Sequence, residues 1–154
     1  MAKRLLCLIC LLLCLCGSAA AQNLERVAAT PNGVLYLDKD EIVPMTDAQK
    51  QAVLLVQTEE QFTNAAYLKQ LRQRAAELQQ AVAVTRILMF NYDGTQVAVM
   101  RTMFTDKDNN IVYNIDGQPT LQPLKSKLLM QVYEKALDEL ERQKRINDMI
   151  RKKI

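Results

Sequence analysis

The chain has 154 residues, no histidine, four glycines and a formal net charge of +3 at pH 7. The lack of histidine excludes Ser-His and Cys-His nucleophilic catalysis, and the few glycines form no phosphate-binding loop. The nearly balanced charge gives no global reason to expect nucleic-acid binding. We therefore predict a non-enzymatic protein without catalytic residues, metal site or cofactor, and without an evident small-molecule substrate.

The first 21 residues have the pattern of a cleaved signal peptide. A basic start precedes an apolar run, Leu5–Cys16. The run is shorter than the roughly 20 residues that a membrane-spanning helix needs. Small residues at Ala19 and Ala21 then match a signal peptidase site, which predicts cleavage before Gln22. The alternative is a retained N-terminal anchor.

All four cysteines lie within this segment, so the predicted mature chain has no thiol for a disulfide or a zinc site. Removal of the segment also lowers the net charge to +1, because two basic residues are lost. The chain contains no Asn-x-Ser/Thr glycosylation sequence. These observations favour an exported bacterial envelope protein, in the periplasm or outside the cell.

Residues 22–45 are predicted to be a flexible lead with one short edge strand. The β-prone run is Val34–Leu37, and Ile42-Val43 extends it weakly before Pro44. Residues 46–154 are predicted to be a single domain.

A long helix is predicted from Thr46 to Val84, a stretch without Gly or Pro that is rich in helix-forming residues. Thr46 and Gln49 have the spacing of a capping box. The apolar residues follow two different frames that meet near Asn64–Tyr67. Two interpretations follow: one continuous helix of over 30 residues with a stutter, which we favour, or a kink or turn between two helices.

The second frame is a set of apolar residues spaced by three and four positions, as in a helix-helix contact. Such a set packs either on the protein's own sheet or on a second chain. Its members are Leu68, Leu71, Ala75, Leu78 and Val82.

Three β-prone runs follow: Thr85–Tyr92, Thr95–Phe104 and Ile111–Ile115. Asp93-Gly94 is a strong hairpin signal between the first two. Asp106–Asn110 starts like a calcium loop but lacks the later ligands, so a polar turn is favoured. These runs predict a three-stranded antiparallel meander with two apolar faces. The long helix would cover one face, and the last helix or another subunit would cover the other.

The last predicted helix runs from Lys127 to Ile150, with Ser126 as its cap. Its end is strongly basic. One interpretation is contact with an anionic surface such as lipid head groups. The other is that cations are favoured at a helix C-terminus and stay solvated. The cations are Arg142, Lys144, Arg145, Arg151, Lys152 and Lys153.

The sequence thus predicts an α+β fold: a long N-terminal helix, a three-stranded meander and a C-terminal amphipathic helix. The favoured function is a structural or interaction protein of the bacterial cell envelope, such as a subunit of secretion or conjugation machinery, with a protein partner or self-association. The alternative is a small periplasmic binding module, such as a chaperone, adaptor or inhibitor. A carboxylate-based hydrolase is the least favoured.

Overall fold

The computed structural model describes residues 23–47 and 49–152. The predicted signal peptide, its cleavage site before Gln22, and Lys153 therefore lie outside the described residues. Within the described ranges, none of the helices combines the length and the apolar character required to cross a membrane.

Seven strands, two α-helices and one 3-10 helix make up the described chain. The strands are β1 (Leu24–Ala29), β2 (Gly33–Thr46), β3 (Ala52–Phe62), β4 (Ala83–Asn91), β5 (Gln96–Thr105), β6 (Ile111–Asp116) and β7 (Gln122–Pro123). The helices are α1 (Ala65–Arg74), the 3-10 helix η1 (Ala76–Gln80) and α2 (Lys127–Arg151).

The strands form one antiparallel sheet in the order β1-β2-β3-β4-β5-β6, and β7 pairs with β5 beyond the end of β6. Four of the strand pairs contain a shift in register. Because such bulges bend a strand and increase its twist, they help to curve the sheet into a half-barrel.

The predicted long helix from Thr46 to Val84 is wrong. Thr46 is the last residue of β2. The next element is β3, a strand of eleven residues from Ala52 to Phe62 in the middle of the sheet. Among the described residues of this stretch, the only α-helix is α1. It begins after Asn64, whose side chain accepts hydrogen bonds from the backbone N–H groups of Ala66 and Tyr67. The change of apolar frame near residue 64 therefore marks a change from strand to helix.

The predicted flexible lead with an edge strand is also wrong in its details. Residues 24–29 form β1, and β2 is a strand of 14 residues. Val34–Leu37 lies within β2, between β1 and β3, so it is not at an edge. The strand was predicted to stop at Pro44, but β2 continues to Thr46. After a bulge it pairs with β3 again from Ile42 onward.

The predicted three-stranded meander is wrong as a description of the sheet, since its strands are three members of a much larger one. The strands themselves are present as β4, β5 and β6, and a turn at Asp93-Gly94 joins the first two. The C-terminal helix is confirmed: α2 begins at Lys127, and the Ser126 hydroxyl accepts a hydrogen bond from Leu129 N at 3.3 Å.

The two faces of the sheet differ in what lies on them. One face, which we call the covered face, carries two apolar cores. The larger core packs under α2 and includes Leu54, Val56, Leu88 and Phe90. The smaller packs under α1 and η1 and includes Phe62, Val84, Leu71 and Leu78. The opposite, open face carries neither helix, and its apolar residues form a third, smaller cluster.

Candidate functional site

A cleft of about 530 Å³ lies on the open face, where β2, β3, β4 and β5 run side by side. Val53 and Met89 form its floor and are almost fully buried. Leu55 and Met100 are half-buried against them. This volume lies in the range of clefts that bind small ligands or single peptide segments, about 300 to 1,000 Å³.

Three methionines from three different strands line the cleft: Met45, Met89 and Met100. The pairing of Met45 with Val53, and of Met89 with Ala98, places these side chains on one face. Met45 is 43% exposed, so apolar surface is presented to solvent here. Methionine is flexible and polarisable, and surfaces rich in it adapt to ligands of different shape.

One wall of the cleft is the turn between β2 and β3. The Asp47 carboxylate accepts hydrogen bonds from Gln49 N at 2.9 Å and from Gln51 N at 2.8 Å. Lys50 adopts a left-handed backbone conformation with φ of 62°. The Asp47 side chain thus fixes a tight turn, and this turn brings the amide side chains of Gln49 and Gln51 to the rim.

The other wall is the segment that leads from β6 to β7. Gly117 N donates a hydrogen bond to Met100 O at 2.8 Å, and a Cβ at Gly117 would lie 1.8 Å from Val99 O. Only glycine permits this close approach of two backbones. Residues 119–121 then line the cleft, and Leu121 packs against the cluster of Val53 and Met89.

Asp47 is the only acidic side chain among the described residues that line this cleft. Because its carboxylate already accepts two backbone hydrogen bonds in the turn, it serves to hold the turn. The lining therefore offers apolar contact and amide hydrogen bonds. Elsewhere in the described chain, no cluster of three or more carboxylates is arranged to hold a metal ion.

Buried charged groups occur on the covered face, between its two cores. Glu60 is 6% exposed; it accepts a hydrogen bond from the Thr30 hydroxyl at 2.6 Å and pairs with Arg86 at 3.1 Å. Because both carboxylate oxygens have partners, this group joins β3 to β4 and to the turn that follows β1. The predicted polar turn at Asp106–Asn110 is confirmed, since the Asp106 carboxylate accepts backbone hydrogen bonds within it.

The residues predicted for a helix-helix contact do not lie on one helix. The first two members are in α1, Ala75 follows it, Leu78 is in η1, and Val82 precedes β4. Leu71 and Leu78 are buried in the core beneath α1, with Leu68 and Ala75 packed against it. Packing on the protein's own sheet thus accounts for these four side chains.

The predicted anionic-surface residues that lie within the described chain are all at the end of α2. Most of this helix end is exposed. Arg142 forms an ion pair with the buried carboxylate of Glu139, and the hydrogen bond from Arg142 holds the pKa of Glu139 below its ordinary value. Lys144, Arg145, Arg151 and Lys152 have no salt bridge among the described residues.

Comparison with protein families, with curated proteins and with solved structures finds no match to this chain. The cleft was missed by the sequence prediction because its lining comes from four strands and two loops. The pairing of β2 with β3 brings Met45 beside Val53, and no local pattern encodes that contact.

Proposed function

We propose that the protein is a non-enzymatic binding module of the bacterial cell envelope, which holds an apolar segment of a partner polypeptide in the cleft on the open face. The observation that carries the proposal is the exposed methionine-lined surface beside amide side chains. Met45 is exposed at the rim above a concave apolar floor, and a flexible methionine lining of this kind can adapt to partners of different shape. The signal-peptide pattern supports the location.

A polypeptide fits the chemistry of the rim better than a purely apolar ligand does. Gln49, Gln51 and Gln96 each carry one amide donor group and one acceptor oxygen at the cleft. A peptide backbone offers the complementary acceptors and donors along its length. The methionines below would receive its apolar side chains, whose exact shape matters little to so flexible a lining.

The test uses two fluorescein-labelled nonapeptides with lysine ends, one alternating Ile and Ala and the other alternating Ser and Ala, measured by fluorescence anisotropy. Only the Ile-Ala peptide is expected to bind. Met45→Lys should weaken its binding about tenfold or more, because one buried apolar side chain contributes about 1.5 to 3 kcal/mol.

Met130→Lys is the matched control. Met130 is 39% exposed, close to the 43% of Met45, but it lies on α2 and does not line the cleft. Binding should therefore be unchanged in this variant. Equal loss in both variants, or equal binding of the two peptides, would contradict the proposal.

A second candidate function is a subunit of an envelope assembly. It is favoured by the outer strand β6. Within the described sheet this strand pairs with β5 alone, and it exposes Ile111, Tyr113 and Ile115 by 57%, 39% and 49%. An exposed apolar edge strand can pair with another chain. Light scattering over a concentration series tests it: Ile115→Lys should abolish any oligomer, whereas a wild-type chain that stays monomeric would contradict it.

A further inference from the structure

Helix α2 consists of two halves with different surroundings. The first half packs on the covered face through buried Val132 and Ala136. Farther along, Leu140 packs against the larger core, and the Gln143 amide donates a hydrogen bond to Lys39 O at 3.3 Å. Residues 144–152 are all exposed, although the helix continues through them for about 12 Å.

This exposed half carries apolar side chains. Ile146, Met149 and Ile150 are 37%, 58% and 53% exposed. Their spacing of three and then one places them on the same side of the helix. None of the three belongs to an apolar core among the described residues.

Cations border the apolar side chains. Arg142, Arg145 and Lys152, together with Asp148, surround Ile146 and Met149 in a shallow depression. Arg142 is paired with Glu139, so Arg145 and Lys152 are the cations here without a salt bridge among the described residues. Lys144 and Arg151 lie along the neighbouring side of the helix, which faces the end of β2. Asp148 is the one acidic residue between 144 and 152, so this helix end is strongly positive.

We propose that the end of α2 binds the surface of a bilayer that contains anionic phospholipid, with Ile146, Met149 and Ile150 inserted below the head groups. The charge complementarity selects this occupant: a helix end with cations around an apolar strip matches phosphates above acyl chains. The long stems of arginine and lysine let their charged ends reach the phosphates while the strip is buried. This site is separate from the cleft and does not depend on the peptide-binding proposal.

The chain contains no tryptophan, so one introduced indole reports on the helix end alone. Met149→Trp in the mature chain is titrated with vesicles of phosphatidylethanolamine and phosphatidylglycerol at 7:3, and with vesicles of phosphatidylcholine. The fluorescence is expected to shift to the blue with the anionic vesicles only, and sedimentation should give the partition coefficient. Half-molar salt should release most of the protein.

Two variants in this background separate charge from insertion. Arg145→Gln with Lys152→Gln should lower the partition coefficient by about fivefold for each charge removed. Ile146→Gln with Ile150→Gln leaves the charge unchanged and should lower the partition coefficient about tenfold or more. Lys69→Gln with Arg72→Gln, two exposed cations on α1, is the matched control and should bind as the parent does.

Equal binding to both vesicle types would overturn the proposal. Unchanged binding of the Ile146 and Ile150 variant would also overturn it, since attraction would then be electrostatic alone. If sedimentation velocity instead shows a dimer that these two substitutions abolish, and vesicles do not dissociate it, the occupant is a second copy and the proposal fails. Met45→Lys should leave vesicle binding unchanged, so failure at the cleft and failure at the helix end can be told apart.

Discussion

The covered and open faces of the sheet are built from the same strands, but their side chains differ in kind. On the covered face, Leu54 and Phe90 are fully buried beneath α2. On the open face, Leu55 is only half-buried, and Met45 is largely exposed at the cleft. The covered face has the packing of a core, whereas the open face leaves part of its apolar cluster exposed to solvent.

Neighbouring residues on β4 show the contrast most directly. Phe90 has no exposed surface and packs against Tyr133 of α2, with ring centroids 5.4 Å apart. Met89 points to the other face, where it joins Val53 and Ala98 beside the cleft. Because side chains alternate along a strand, one strand supplies both the core and the floor of the candidate site.

The largest expected effect comes from truncating this pair. Phe90→Ala should lower the free energy of unfolding by about 3 to 5 kcal/mol, because it opens a cavity in a core that cannot collapse. Met89→Ala should cost about 2 kcal/mol, near the lower limit for buried methionine, because its cavity adjoins the open cleft. Urea denaturation followed by circular dichroism measures both. If Met89→Ala costs as much as Phe90→Ala, the open face is packed as tightly as the covered one and the contrast fails.

The distribution of side chains over the two faces also explains why β3 was predicted to be helical. Val53 to Val56 is an uninterrupted apolar run, because both faces of the strand carry apolar side chains, so it shows no period of two. The surrounding Gln, Glu and Ala residues have high helix propensity, and tertiary packing overrode it. The β-branched residues Val53 and Val56, in a short apolar run after the turn residue Asp47, were the sequence feature that indicated a strand.

Other parts of the fold were predictable because their signals are local. Asp93-Gly94 specifies the hairpin between β4 and β5, and Ser126 marks the start of α2. The amphipathic character predicted for the last helix is confirmed, since Leu129, Val132 and Ala136 pack on the larger core. The cleft depends on contacts between strands that are distant along the chain, and so do the bulges that curve the sheet, so neither could be predicted.

A second, smaller effect is expected where the hairpin meets α2 at the edge of the covered face. Gly94 has φ of +69°, and a Cβ there would lie 2.2 Å from the ring of Tyr133. The Tyr133 hydroxyl donates a hydrogen bond to Tyr92 O at 2.5 Å, and burial raises the pKa of this phenol. Gly94→Ala should therefore cost about 2 kcal/mol, from the left-handed backbone together with the displaced ring.

A double-mutant cycle separates these two causes. In a Tyr133→Ala background, Gly94→Ala should cost only about 1 kcal/mol, the contribution of the backbone conformation. If Gly94→Ala lowers the free energy of unfolding equally in both backgrounds, Gly94 does not pack against the Tyr133 ring. The packed region of the covered face would then not include this hairpin turn.

The smallest effect concerns the point where α2 leaves the covered face. Glu139 is 5% exposed, and its pKa is held below its ordinary value of 4.5, chiefly by the hydrogen bond from Arg142 and also by one from Gln143. A lowered pKa means that the stabilisation is fully present above the unfolded value and is lost as the pH falls through the folded one. Glu139→Gln should cost about 1 kcal/mol at pH 7, because the Arg142 side chain is half-exposed and the pair is screened.

Thermal unfolding between pH 7 and pH 3 measures this difference. The gap in Tm between the wild type and Glu139→Gln should be constant above about pH 5.5 and should shrink below pH 4.5, as the wild-type carboxylate becomes protonated. Glu141→Gln, at an exposed neighbour on the same helix, is the control and should show almost no gap. A gap that persists in acid would mean that Glu139 stabilises α2 by packing rather than by charge. Side-chain packing, and not the Glu139–Arg142 ion pair, would then determine where the buried half of the helix ends.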